Sequence, residues 1–189
     1  RTALQLPVLT MVLGYSRWLS AILIPSRRAE DLFAGWWNLI AALGAVPRTL
    51  VWDGEGAVGR WRAGRTELTR DCQAFRGVLG TKVIVLKGGE PEHKGIVERS
   101  HDYLERSFLP GRSFTGPGDF NYQLQKWLNV VNTRRRRVLG CAPTDRIGAD
   151  LAAMLTLPPV APEVGWRNST RLAHQMTSPT SPTACRACR

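Results

Sequence analysis

No stretch of this 189-residue sequence stays apolar for the roughly 18 residues that a membrane-spanning helix requires, so no membrane partner is expected. The run from Leu6 to Tyr15 is apolar, but Arg17 follows it. A signal peptide with Arg1 as its charged end is the rival reading of that run. It is set aside because no initiator Met is present and strand-like patterning continues past it. Cysteine is scarce: Cys72, Cys141, Cys185 and Cys188 are too scattered for a disulfide framework, which fits a reducing, cytoplasmic setting. The spacing of Cys185 and Cys188 suits redox or zinc chemistry, but no second ligand pair accompanies it, so no metal site is expected there. Acidic residues are also short, 15 against 26 basic ones, and none precedes Glu30. Lysine is confined to positions 82, 87, 94 and 126. The chain opens on Arg1, and a longer parent protein is expected.

What is abundant is arginine. It carries most of the net charge of +11, and its planar fork grips phosphate through two parallel hydrogen bonds. A charge of this size and kind favours a polyanion, nucleic acid above all; a merely soluble basic protein is the bland alternative.

The hydrophobic pattern divides the chain into alternating strands and helices. Leu6 to Gly14 and Trp18 to Pro25 predict a buried hairpin turning at Gly-Tyr-Ser-Arg. Ser26 is the expected N-cap of a helix whose first turn holds Glu30 and Asp31 and whose apolar stripe runs through Leu32, Trp36, Leu39, Ile40 and Leu43 to a stop at Gly44. Trp36 and Trp37 read as core rather than as a base-stacking platform. Arg48 to Trp52 is a short strand, the Gly- and Arg-rich segment up to Arg65 reads as loop, and Leu68 to Leu79 is helical behind Thr69, with Gly80 closing it. Lys82 to Leu86 is a further strand, and Lys87 to Gly95 a mobile polar loop. Helices follow from Ile96 to Leu109, from about Asp119 to Thr133, where Arg134 to Arg137 begin, and from about Thr144 to Leu155. The core is expected over residues 1–157, a linker over 158–173, and a disordered tail rich in Ser, Thr and Pro over 174–189.

Two carboxylates stand out in this basic background. Asp53 follows a buried strand and is flanked by Gly54, which leaves room for a bulky substrate. Glu98 sits early in a helix, away from its apolar stripe. An acidic pair on a strand end and a helix, within a chain suited to polyanions, is the layout of a divalent-metal phosphoryl-transfer site. Glu55 and Glu92 are near in sequence but read as solvated loop residues. His93 and Lys94 are candidates for phosphate contact. The run Arg134, Arg135, Arg136 and Arg137 fits backbone binding without sequence preference, or a solvated helix end.

The segment Leu50-Val-Trp-Asp53-Gly, followed by His93-Lys-Gly-Ile-Val-Glu98-Arg99, resembles the second and third acidic positions of the DDE integrase and transposase catalytic core, nearest to the IstA-like transposases of bacterial insertion sequences. Trp127-Leu-Asn-Val-Val-Asn132-Thr-Arg134, with Pro143 and Arg146, is similar to the segment closing that core, so the resemblance covers about Leu6 to Leu157. It implies an α/β, ribonuclease H-like mixed sheet flanked by helices, here with its first strand missing or incomplete. It also implies three carboxylates holding Mg2+ or Mn2+, DNA cleavage and strand transfer, a homo-oligomer, an ATPase helper and a place at the bacterial nucleoid. Asp53 and Glu98 match two of the three carboxylates, while His93, Lys94, Arg99 and Arg134 to Arg137 would bind DNA. The family's first aspartate lies upstream of the hairpin and finds no match in these residues, so the chain is expected to be catalytically incomplete. A frameshifted tail replacing a C-terminal β domain would account for residues 174–189. The alternatives are a non-catalytic, DNA-binding remnant of a transposase, or a resolvase-like nuclease, which would need a full acidic set.

Overall fold

A computed structural model describes residues 6–52, 55–62, 64–86 and 91–163, with the side chains of 91–94, 96 and 97 left aside. Strands β1 (Val8–Val12) and β2 (Leu19–Leu23) form the antiparallel hairpin foreseen from the sequence, with Val8 opposite Leu23 and Val12 opposite Leu19. Both its faces are covered. Leu9, Met11, Ile22 and Ile24 join one hydrophobic cluster, and Val8, Val12, Leu19 and Ala21 join another. That double burial explains why both strands read as nearly continuous apolar runs rather than alternating ones.

Helix α1 (Ala29–Leu43) lies on the first face through Leu32, Phe33, Trp36, Leu39 and Ile40. Gly44 ends it in the left-handed region, φ 80°, its N–H shared between the carbonyls of Ile40 and Ala41. The start differs from the expected cap. Arg28 occupies the capping position without a side-chain bond, whereas Ser26 accepts the Arg28 N–H at 3.1 Å and donates to Asp31. Ser26 therefore orders the approach to the helix, two residues too early to cap it.

β3 (Ala45–Val46) pairs with β8 (Leu155–Thr156) and ties the far end of the chain to the exit of α1. β4 (Thr49–Trp52) runs parallel to β7 (Lys82–Val85). Between them, β5 (Gly59–Arg62) and β6 (Arg65–Leu68) make a second hairpin where the sequence suggested loop, and Leu68 belongs to it rather than to the following helix. Its glycines and arginines hid the two-residue alternation, because most of this hairpin faces solvent and needs few apolar positions. Thr69 then caps α2 (Arg70–Leu79), accepting the Cys72 N–H at 3.2 Å, and Cys72, Phe75 and Leu79 turn inward to the α1 cluster.

Helix α3 extends over Pro91–Ser107, so it begins before Ile96, within the span expected to be loop. Proline fits a first helical position, where its missing N–H costs nothing. α4 (Pro117–Thr133) and α5 (Pro143–Ala153) complete the chain, and α5 stops short of Leu155, which is claimed by β8. Leu104, Phe108, Leu124, Trp127, Leu128 and Val131 from α3 and α4 pack on the second face of the β1–β2 hairpin. No described strand hydrogen-bonds β1 to β4, so the antiparallel and parallel pairs are joined through the α1 cluster, not through one continuous ladder. Among the described residues, no helix is long and apolar enough to cross a membrane. The tail residues 174–189, with Cys185 and Cys188, lie outside the described residues.

Candidate functional site

Functional loops of open α/β sheets emerge at the carboxyl ends of parallel strands. Here that edge is the end of β4 and β7. The register reaches Trp52 opposite Val85, and the Leu86 N–H donates to the Trp52 carbonyl at 2.8 Å one step further on. The Trp52 ring stacks on Trp36 from α1, with centroids 4.2 Å apart and planes 16° from parallel. Backbone and ring together hold the residue that immediately precedes Asp53. Asp53 and Gly54 themselves lie outside the described residues. The chain resumes at Glu55, whose carbonyl accepts the Val58 and Gly59 N–H groups in a turn.

Glu98 and Arg99 stand exposed on α3. Glu92, His93 and Lys94 fall in the opening turns of that helix, and their side chains lie outside the described residues. The Arg99 guanidinium folds back along the helix, where a side chain at Gly95 would approach its Nη1 to 3.2 Å. His101, one turn on from Glu98, hydrogen-bonds through Nε2 with the Thr10 hydroxyl of β1 and so pins this flank of the helix to the hairpin. Nothing in the sequence singles out His101 except its spacing from Glu98. Beside it opens a cavity of about 360 Å³, apolar at Leu6, Val8 and Leu104 and polar at Arg27, His101 and Glu105. Among the described residues, no three His, Cys, Asp or Glu side chains gather into a metal site.

The arginine run behaves unevenly. Arg134 terminates α4, and it, Arg135 and Arg137 are exposed. Arg135 Nε donates to the Gly140 carbonyl at 2.9 Å. Arg136 is half-buried, and burial holds its guanidinium below the usual arginine range, with Tyr103 pulling the other way and the charge of Arg17 adding to the depression. Upstream of the run, buried Asn132 receives the Leu19 N–H at 3.0 Å and donates to the Leu19 carbonyl at 2.8 Å. This clamp brings the end of α4 against the start of β2. Arg17 is thereby drawn towards the arginine run, a placement with no signal in the sequence.

The architecture built from these elements is a ribonuclease H-like fold. Against solved structures, the chain is similar to the catalytic core domain of BIV integrase, with a TM-score of 0.56 over 78% of this chain and 89% of that one, at 18% identity. Against curated proteins, it is 26% identical over 144 residues to a protein described as a transposase for insertion sequence element IS5376 of Geobacillus stearothermophilus. That match takes in 75% of this chain and 36% of the relative, so the chain spans about a third of the relative's length. No protein-family model matches. The sequence match is thus to a transposase and the fold match to an integrase catalytic core.

Proposed function

We propose that the chain is the core of a DNA transposase, in which Asp53 and Glu98 serve as carboxylate ligands for divalent metal during cleavage and transfer of DNA strands. The observation that carries this reading is a parallel strand pair ending at Trp52, one residue before Asp53, within an integrase-core fold. Both side chains offer the hard oxygen donors that Mg2+ or Mn2+ takes. When bound, such metals neutralise charge on the attacking and leaving oxygens at phosphorus. His93, Lys94, Arg99 and Arg134 to Arg137 hold the DNA backbone, supported by the net charge of +11. Assembly into homo-oligomers and work with an ATPase helper belong to the same reading.

The donor set is short by one. No acidic residue precedes Glu30, so the hairpin carries no third carboxylate, and nicking by residues 1–189 alone should be negligible. Calorimetric titration with Mn2+ tests the pair. Wild type should bind the ion, Asp53→Asn and Glu98→Gln should each bind at least about tenfold more weakly, and both variants should hold DNA as well as wild type or better, since each loses a negative charge. If Mn2+ binds wild type and both variants equally, the metal reading fails and a non-catalytic DNA-binding remnant is left.

A further inference from the structure

The β5–β6 hairpin is a two-stranded ribbon whose faces differ in chemistry. Its register sets Arg60 opposite Glu67, Trp61 opposite Thr66 and Arg62 opposite Arg65. Side chains directly opposite share a face, and so do alternate residues of one strand, so Trp61 and Thr66 stand on one side while Arg60, Arg62, Arg65 and Glu67 stand on the other. The root of the ribbon is fixed. Val58 is fully buried in the α1 cluster, Leu68 packs against that cluster, and the Thr69 N–H donates to the Val58 carbonyl at 2.9 Å. The aromatic side turns towards the carboxyl end of the parallel pair, because the Thr66 hydroxyl donates at 3.4 Å to the carbonyl of Val85, the last residue of β7.

Trp61 leaves 43% of its surface in solvent, although tryptophan is a largely buried residue on average. Elsewhere in the chain Trp36 stacks on Trp52 and Trp127 leans on Tyr103, whereas among the described residues no ring or guanidinium lies against Trp61. The other side of the ribbon is basic. Arg60, Arg62 and Arg65 are all exposed, and Glu67 reaches only Arg65, at 3.9 Å, with both side chains in solvent. So loose and wet a pair contributes little, and the three guanidiniums stay open to an outside anion.

We propose that the β5–β6 ribbon receives DNA whose strands have parted, with Trp61 stacking on an unpaired base beside the end of β7 and Arg60, Arg62 and Arg65 gripping phosphates of the other strand. An indole offers a flat surface to any base, and such stacking is tolerant of sequence. Within a closed duplex each base is covered by its neighbours, so the free face that Trp61 needs is exposed where a strand has come unpaired. Guanidiniums supply the paired donors that backbone phosphates accept. The two contacts lie on opposite sides of a thin ribbon: separated strands reach both, whereas a closed duplex rests on one side at a time. The ribbon positions DNA and takes no part in the chemistry. This inference rests on the DNA-binding reading above, and deepens it by naming the form of DNA that is received.

The test titrates labelled DNAs of one arbitrary sequence, as a blunt duplex, a fork with two unpaired arms and a single strand, with wild type, Trp61→Ala, Trp61→Phe and the double variant Arg60→Gln/Arg62→Gln. The first unpaired base of one fork arm is 2-aminopurine, whose fluorescence falls when a ring stacks on it. Wild type should quench that fluorescence and bind the fork about tenfold more tightly than either the blunt duplex or the single strand. Trp61→Ala should lose the quenching and bind the fork about tenfold more weakly, with the blunt duplex within about twofold of wild type, and Trp61→Phe should keep part of the quenching. The arginine double variant should still quench, and its slope of log fork affinity against log salt should flatten by about 1.4, from two single-strand phosphate contacts at about 0.7 each. Equal binding of fork and blunt duplex by wild type, without quenching, would overturn this inference and leave the DNA-binding reading standing. Failure of wild type to bind any of these DNAs would overturn both. A single strand held as tightly as the fork would rule out the two-sided arrangement. A lower melting temperature for Trp61→Ala, with equal losses on every DNA, would make Trp61 a structural residue and sink the proposal.

Discussion

Asn132 shows how one polar side chain decides the packing of two elements. Only 1% exposed, it satisfies both backbone groups of Leu19 where β2 begins, and its own carbonyl accepts the Thr144 hydroxyl at 2.8 Å. Asn132→Leu keeps the volume but strands two buried backbone groups, at about 1–3 kcal/mol each, so a loss of about 2–6 kcal/mol is expected in urea denaturation. A loss under about 1 kcal/mol would mean that the clamp is incidental. Cys72 offers a second check at this scale. Burial pushes its thiol up from 9.0 to about 11, against the opposing pull of Arg76. Below pH 9 the thiol is neutral in folded and unfolded chains alike. Between pH 9 and 11 the unfolded chain gives up the proton first, so the folded state loses stability as pH rises through that window. Denaturation midpoints should fall more steeply there for wild type than for Cys72→Ala, and parallel curves would contradict it. Sequence reasoning found Asn132 only through family resemblance, because a buried asparagine and an exposed one look alike until the partner strand is known.

Among the elements, the β5–β6 hairpin is the least legible and the most dependent on a single glycine. A Cβ at Gly59 would come within 2.6 Å of the Glu67 carbonyl oxygen, a backbone atom that cannot turn aside. Gly77, on the exposed face of α2, has nothing within 4 Å. The two alanine substitutions should therefore differ in sign: Gly59→Ala costs about 1–3 kcal/mol through overpacking, and Gly77→Ala gains about 0.5–1 kcal/mol of helix propensity. Thermal melts of both variants decide this, and equal shifts would refute it. The same contrast accounts for what could be read ahead of the structure. α1, α2 and the buried β1–β2 hairpin showed their periods because one face or both had to be apolar. β3 and β8, two residues each, and the solvent-facing β5–β6 ladder carry no such requirement, so their pairing is set by what lies opposite them. Helix α3 starts earlier than its apolar stripe because Pro91 fits a helical first turn without needing burial.

For the whole molecule, the two hydrophobic clusters meet at the β1–β2 hairpin, α1 on one face and α3 and α4 on the other. The hairpin thereby links the parallel pair that leads into Asp53 with the helix that bears Glu98. The sequence as a whole carries a net charge of +11. The sequence by itself pointed to a polyanionic class of partner, because charge and arginine content need no fold to be counted. It also determined the order of the larger elements, because burial imposes a period on each strand and helix separately. Local pattern was enough to nominate Asp53 and Glu98 as well, one behind a strand and one on a helix. Only the tertiary structure decided that Trp36 stacks under the end of β4, that His101 fastens α3 to β1, and that Asn132 clamps the end of α4 to the start of β2. Those contacts join residues far apart along the chain, and a one-dimensional pattern fixes which face of an element is apolar without fixing which other element that face will meet.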